Sequence, residues 1–321
     1  MLGNFVVLII LVAFVVLFAW LARRAWKAKR GIIKWPGVIV AGLLTLIFAF
    51  VAIVYGKGLF DLYRQYPVAA ANVSVASSPE KVARGEHLAT ILCAGCHSTT
   101  GELPLSGGHD MVGDIGIPLG TIVSSNLTPA GVIKNLSDSD IYRILRTGIA
   151  PDGRITFMAG INVRKISDDD TQAIIAYLRQ SPPVQNETPP FGASPLAVLF
   201  AGAGFLFKSV PSTIQPVSAP PKAASKDYGA YIANFMDCRS CHGPTLSADG
   251  GPLAPPGASN LTVVVPEWSK DDFFKAMRTG VDSTGHQISA PMPWQTIGKL
   301  DDVELAALYE YLHGLTPITK K

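Results

Sequence analysis

Cys93-Ala94-Gly95-Cys96-His97 and Cys238-Arg239-Ser240-Cys241-His242 hold all four cysteines of a 321-residue chain, and these two pentapeptides decide how the rest is read. Thiols three positions apart lie on one helical turn, so both can add to the vinyl groups of one haem. The histidine that follows then reaches the iron as proximal ligand, which is the attachment pattern of c-type haem. Zinc held by two Cys-x-x-Cys pairs gives no reason for a histidine after each pair. A thioredoxin-like redox pair needs a βαβ context that is absent here, and structural disulfides leave both histidines unexplained. Two haem c groups (iron) are therefore expected, bound through Cys93, Cys96, Cys238 and Cys241, with His97 and His242 on the metal.

A methionine thioether opposite the histidine raises the reduction potential, so each motif needs a downstream Met. Met292 stands in Ala290-Pro291-Met292-Pro293-Trp294, where prolines stiffen the backbone of a ligand loop; His286 competes with it. In the first copy Met158 follows Arg146-Thr147-Gly148 and Asp152-Gly153-Arg154 without flanking prolines. Met111 and His109 compete there, but they lie only a few residues beyond His97, where they cover a haem edge more readily than they cross to its far face. Met236 and Met277 read as core filling, and His87 and His313 as surface residues. Arg146 and Arg278 occupy matched positions and are expected at the haem propionates, the alternative being helix ends facing solvent.

The motifs sit in a longer repeat. Ser137-Asp138-Ser139-Asp140 opens a helix ending Leu145-Arg146-Thr147-Gly148, and Ser269-Lys270-Asp271-Asp272 opens one ending Met277-Arg278-Thr279-Gly280. Ser-x-x-Asp is a capping pattern. Asn126-Leu127-Thr128 and Asn260-Leu261-Thr262 echo each other upstream. Each copy closes on an amphipathic helix, one carrying Ile174, Tyr177 and Leu178, the other Leu305, Leu308, Tyr309 and Leu312. Strand-like alternation is lacking, so both copies read as small helical domains of about 100 residues, whose thin cores a large apolar cofactor would complete.

Leu2 to Ala22 and Pro36 to Tyr55 are nearly unbroken apolar runs, each close to the ~20 residues that cross a bilayer. A cleaved signal peptide needs a charged start and a small-residue cleavage site; here Met1 leads straight into apolar residues and Arg23-Arg24 follow. The connecting loop holds six of the 27 Lys and Arg and no acid, which places it in the cytoplasm. From residue 35 onward 21 basic residues face 24 acidic ones, a balance with no footprint for nucleic acid. Between the copies, Ser181 to Ala224 is rich in proline, Pro211 among them, and encloses an apolar stretch, Pro195 to Phe207, too short to span a membrane. It is expected to pack on its own domains or a partner, or to rest in the membrane interface.

Arg84-Gly85-Glu86-His87-Leu88-Ala89, Ser125-Asn126-Leu127-Thr128-Pro129, the Arg-Thr-Gly helix ends and Ala176-Tyr177-Leu178-Arg179 before Pro182-Pro183-Val184 resemble the multihaem cytochrome c subunits of membrane-bound alcohol, aldehyde and sugar dehydrogenases. The resemblance covers both exterior domains, most closely residues 80 to 190. It implies class I cytochrome c domains that take electrons from a catalytic subunit and deliver them to quinone or a terminal acceptor. Those subunits usually carry three haems and lack an N-terminal pair of membrane helices. The expected fold is all-α, with two transmembrane helices followed by two class I cytochrome c domains in tandem. Residues 1–60 form the anchor, 78–181 the first domain, 182–225 the connector and 226–321 the second domain. The expected role is electron transfer on the outer, periplasmic side of a bacterial cytoplasmic membrane, with no substrate site. The partners are membrane lipid and the redox proteins of a membrane complex: a dehydrogenase, a quinol-oxidising complex, a terminal oxidase or a reaction centre. A dihaem peroxidase is the enzymatic alternative, and it requires one haem with an open coordination position.

Overall fold

The computed structural model describes residues 2–67, 71–113, 116–206, 213–250 and 257–319; Phe207 and Pro211 of the connector lie outside them. Helices α1 (Leu2–Trp26) and α2 (Gly31–Tyr63) are both long and apolar enough to cross a membrane. They run antiparallel, with the Phe14 and Phe48 rings 5.0 Å apart and Trp26 edge-on to Trp35 at the turn. Their outward faces remain apolar and exposed. Helix α2 continues two turns past the apolar run read from sequence. An i,i+4 pair, Lys57 Nζ to Asp61 Oδ2 at 2.7 Å, lies on that extension.

The first domain after the two long helices is built from α3 (Pro79–Leu92), the single turn α4 (Ala94–His97), α5 (Asp138–Thr147) and α6 (Asp168–Gln180). Ser78 caps α3, and Ser137 with Asp140 forms the capping box on α5 that the sequence pattern predicts. Gly85 lets α3 and α6 touch backbone to backbone: a Cβ there would lie 1.9 Å from the Ala173 carbonyl oxygen. The second domain repeats the plan. The connector's short helix α7 (Pro195–Gly202) leads to α8 (Lys226–Phe235), α9 (Cys238–His242), α10 (Leu261–Val264), α11 (Lys270–Thr279), α12 (Trp294–Ile297) and α13 (Asp302–His313). Gly229 on α8 meets Ala307 on α13 as Gly85 meets Ala173, again with only 1.9 Å for an added Cβ. Leu88, Ile174, Ile232 and Leu305 are buried around these crossings, each contributing roughly 1.5–3 kcal/mol by leaving water.

The fold is mostly helical. Strand structure is confined among the described residues to β1 (Gly120–Thr121), paired antiparallel with β2 (Gly192–Ala193), and a few isolated bridges. That pair ties the connector to the first domain. The Pro-rich stretch is not a loose tether elsewhere either: the Asp168 amide donates to Val217 O, and Arg146 to Gln215 O. Nor do the two domains sit apart, since their cores form one continuous cluster.

The seam between the domains is polar as well as apolar. Arg84 on α3 donates through Nε to Asp170 Oδ1 at 2.8 Å and through Nη1 to Glu304 Oε1 at 2.5 Å. The other oxygen of Glu304 accepts from His87 Nε2 at 2.5 Å, and Tyr231 OH donates to Asp170 at 2.7 Å. His87, expected on the surface, is half-buried here because the second domain covers α3. Glu304 is fully buried. Burial by itself would raise its pKa, but the hydrogen bonds from His87 and Arg84 outweigh that and hold the carboxyl at about 2.

A buried carboxylate hydrogen-bonded by an arginine and a histidine is expensive to remove. Glu304→Ala should cost about 3–5 kcal/mol, read as a lower urea midpoint for loss of the inter-domain contact. Because the folded pKa lies below the usual 4.5, the carboxylate's contribution is complete above about pH 4.5 and drains away as pH falls towards about 2. In an acid titration the wild type should lose stability across that window, and Glu304→Gln should lose the part of the slope that belongs to this group.

Candidate haem sites

Each Cys-x-x-Cys-His sits where a helix ends and one further turn follows. In the first domain the Cys93 amide closes α3 on Ala89 O, and the His97 amide bonds Cys93 O at 2.8 Å, so the pentapeptide forms a compact turn. In the second, Asp237 takes a left-handed conformation (φ 59°) between α8 and α9 and turns the chain into the motif. Burial, reinforced by the neighbouring Cys96, pushes the Cys93 thiol up to about 12, and burial likewise raises Cys238 to about 11. Both are neutral thiols set in apolar walls. The four cysteines do not gather into one cluster among the described residues, so each domain holds its own pair.

The two histidines are oriented alike. His97 Nδ1 lies 2.9 Å from the carbonyl oxygen of Ser125, and His242 Nδ1 2.8 Å from that of Ser259. A carbonyl only accepts, so Nδ1 carries the proton and Nε2 keeps its lone pair for a metal. Burial lowers the pKa of His97, against the raising effect of the Ser125 bond, which favours the neutral ring that ligation requires.

Those carbonyls explain the echoed Asn-Leu-Thr. Asn126 Oδ1 accepts from the Thr128 amide and hydroxyl, while its Nδ2 donates to Val184 O at 2.8 Å beyond α6. Asn260 does the same with Thr262, and reaches Ile318 O at 2.8 Å beyond α13. Each Asn thus pins the segment whose preceding carbonyl aims the histidine. The repeat is visible in the sequence, but its role is not, because the partners arrive from about 60 residues downstream.

In the second domain Cys238, Cys241 and His242 line a cavity of about 380 Å³ whose remaining walls include Leu261, Phe273 and Met292. Two thiols, a histidine with a free Nε2 and a thioether around an apolar space are the donor set and surroundings that haem c requires. Met292 is half-buried against the core; His286 also borders the cavity but is exposed. In the first domain Met158 packs against the core that holds Cys93, whereas Met111 belongs to a separate cluster with Val112, Leu119 and Ile122. Met158 therefore packs on the core cluster that includes Cys93, and Met111 on a second cluster that includes Phe157.

The arginines are placed differently from the expectation of propionate contacts. Arg146 is buried, with Nη1 on the carbonyls of Arg164 (2.9 Å) and Ile166 (2.7 Å) and Nη2 3.3 Å from Asp168. Arg278 bonds Gly298 O and, at 2.9 Å, Asp302. Both guanidinium groups brace the segment that follows the Met loop. The arithmetic of the repeat located equivalent positions, but their partners are main-chain oxygens brought in by the fold.

Comparison with known proteins agrees with this geometry. Residues 227–316 match the family described as cytochrome c, and residues 80–178 the family described as cytochrome c oxidase, cbb3-type, subunit III. The chain is 29% identical over 249 residues to a nicotinate dehydrogenase subunit of Pseudomonas putida, covering 70% of this chain and 20% of that protein. It is 26% identical over 285 residues to the cytochrome c subunit of alcohol dehydrogenase (quinone) of Gluconacetobacter polyoxogenes, covering 77% and 59%. The gluconate 2-dehydrogenase cytochrome c subunit of Pantoea cypripedii is 35% identical over 104 residues, 29% of this chain and 24% of that one. The chain thus spans about a fifth and three-fifths of the first two relatives. With a carbonyl-aimed histidine after each cysteine pair and family matches over residues 80–178 and 227–316, the chain carries two cytochrome c domains in tandem after its two N-terminal apolar helices.

Proposed function

We propose that the chain is a two-haem electron carrier, held by α1 and α2 at the outer face of a cytoplasmic membrane and serving a catalytic dehydrogenase subunit. The observation that carries this reading is the pair of histidines whose Nδ1 protons are fixed on Ser125 O and Ser259 O. When bound, each haem iron supplies a one-electron ferrous–ferric couple. The chain's own residues then do the rest. Cys93, Cys96, Cys238 and Cys241 would tether the groups, and His97 and His242 with Met158 and Met292 would supply the protein ligands to iron. A histidine and a methionine for each iron would leave no position for substrate, which supports transfer as the role.

The placement outside the membrane rests on the basic loop between α1 and α2, where Arg23, Arg24, Lys27, Lys29, Arg30 and Lys34 stand without an acid. The choice of a dehydrogenase partner rests on the relatives named as cytochrome subunits of alcohol and gluconate dehydrogenases. Contacts that cross the seam support transfer within the chain. Lys165, just past the Met158 loop, bonds Asp237, the residue before Cys238, at 3.1 Å; Lys299, past Met292, reaches Glu102, just past His97, at 2.6 Å. Each domain's Met side therefore meets the other's attachment side.

A denatured gel band should stain for covalent haem and the intact mass should carry two porphyrin increments. Replacing Cys93 and Cys96 by Ala should remove one increment and leave the other; a single increment in the wild type would end the two-haem reading. Met292→Ala should lower the potential of one haem by on the order of 100 mV, within the ~0.8 V that axial ligation spans. Met158→Ala should do so for the other, and Met111→Ala should move neither in a spectroelectrochemical titration. Affinity purification from solubilised membranes should bring down a catalytic dehydrogenase subunit.

A further inference from the structure

The connector's apolar stretch touches more than the first haem domain. It packs against α2, in the reverse direction. A Cβ on Gly58 would lie 1.9 Å from Val198 O, and one on Gly202 would lie 1.8 Å from Val54 O, so α7 enters beside Gly58 and descends to the level of Val54. Val54 falls inside the apolar run of α2, about 4.5 Å towards the bilayer from Lys57 at 1.5 Å per residue. At its top, Asn4 of α1 donates to Ala193 O at 2.9 Å and accepts from Tyr55 OH at 3.2 Å, which clasps α1, α2 and the connector together.

Three features of this segment suit hydrocarbon. No charged residue stands between Glu187 and Lys208. The lower turn closes its own backbone: the amides of Ala203, Gly204 and Phe205 donate to Leu199 O, Ala201 O and Phe200 O at 2.9, 3.0 and 2.9 Å, with Gly204 at φ +83°. A C-terminal helix end that leaves few orphan carbonyls is what a lipid environment demands. Phe205, at that lowest turn, is 62% exposed, and Ile53 and Phe50 on the apolar part of α2 are exposed too.

We infer that Pro195–Leu206 is a re-entrant element that dips into the outer leaflet beside the two spans, with lipid acyl chains covering Phe205. The inference rests on the proposed membrane anchor and adds a third point of contact. It also has a consequence for the first haem domain. Phe157 packs in the cluster with Leu196, Phe200 and Leu206, and Gly160 approaches Leu206 O, so the Met158 loop stands directly on this element.

In the haem-loaded full chain the four native cysteines are consumed as thioethers, so one added cysteine is the sole free thiol. Ala203→Cys and Phe205→Cys, labelled with a fluorophore in phosphatidylcholine nanodiscs, test the inference against Phe50→Cys in α2 and Ile318→Cys near the end of the second domain. Each label is compared with itself in brominated and unbrominated lipid, so quenching by haem cancels. Labels at 203 and 205 should lose emission to lipids brominated near the headgroup end and resist aqueous iodide. Label 50 should respond to deeply brominated lipid, and label 318 to iodide alone. Iodide quenching at 203 and 205 with lipid quenching at 50 overturns the inference and leaves the anchor standing; iodide quenching at 50 as well removes both.

Discussion

The close crossing of an entry helix and a closing helix, made twice, is the constraint from which the rest of the exterior structure follows. At Gly85 and again at Gly229 a side chain of any size would collide with the opposing backbone. Removing the Cβ lets two helices meet at their main chains, so a domain of only about 100 residues gains a tight seam without a large core. The seam also sets the direction of the chain as it leaves α3 and α8, and the cysteine motif is the next turn in each case. Gly85→Ala or Gly229→Ala would therefore displace the attachment turn as well as loosen the crossing.

Around that constraint the two domains use the same parts for different ends. Asp170 and Glu304 occupy the same place, the first turn of the closing helix, where a carboxylate normally faces water and favours the positive end of the helix. Here the domains meet along those helix starts. Arg84 spans both carboxylates, Tyr228 stands at the matching position on α8, and its hydroxyl lies 3.4 Å from Glu304. Repetition of one domain type thus brings two carboxylates to an interface of approximate twofold character, where one copy supplies an arginine that bonds both and the other supplies a tyrosine.

What was legible in the sequence were features carried by neighbours in the chain. The motifs, the Ser-x-x-Asp capping boxes and the two apolar helices all depend on spacings of a few residues, and the structure has them where the sequence put them. The misreadings concern long-range partners. His87 lies at a seam that exists only once the second domain folds back. Arg146 and Arg278 are committed to carbonyls some 20 residues away, and the short β1–β2 pair joins residues about 70 apart with no alternating pattern to announce it. The Asn-Leu-Thr echo is intermediate: its repetition was visible, while its function needed Val184 and Ile318 in place.

The two methionine loops show why repeats with one plan need not share one sequence. Met292 lies between prolines, which restrict the backbone locally, and its loop borders the cavity of the second domain. Met158 has no such prolines, and its loop is held from outside. The Tyr66 amide just beyond α2 donates to Gly153 O at 2.8 Å, Thr156 bonds back to Gly148 O, and Phe157 packs on the connector's apolar segment. Rigidity that one domain builds into its covalent chain is supplied to the other by the element against which it rests. The first loop is accordingly the one whose geometry is tied to the segment just past α2 and to α7, so a change at either bears directly on the backbone around Met158.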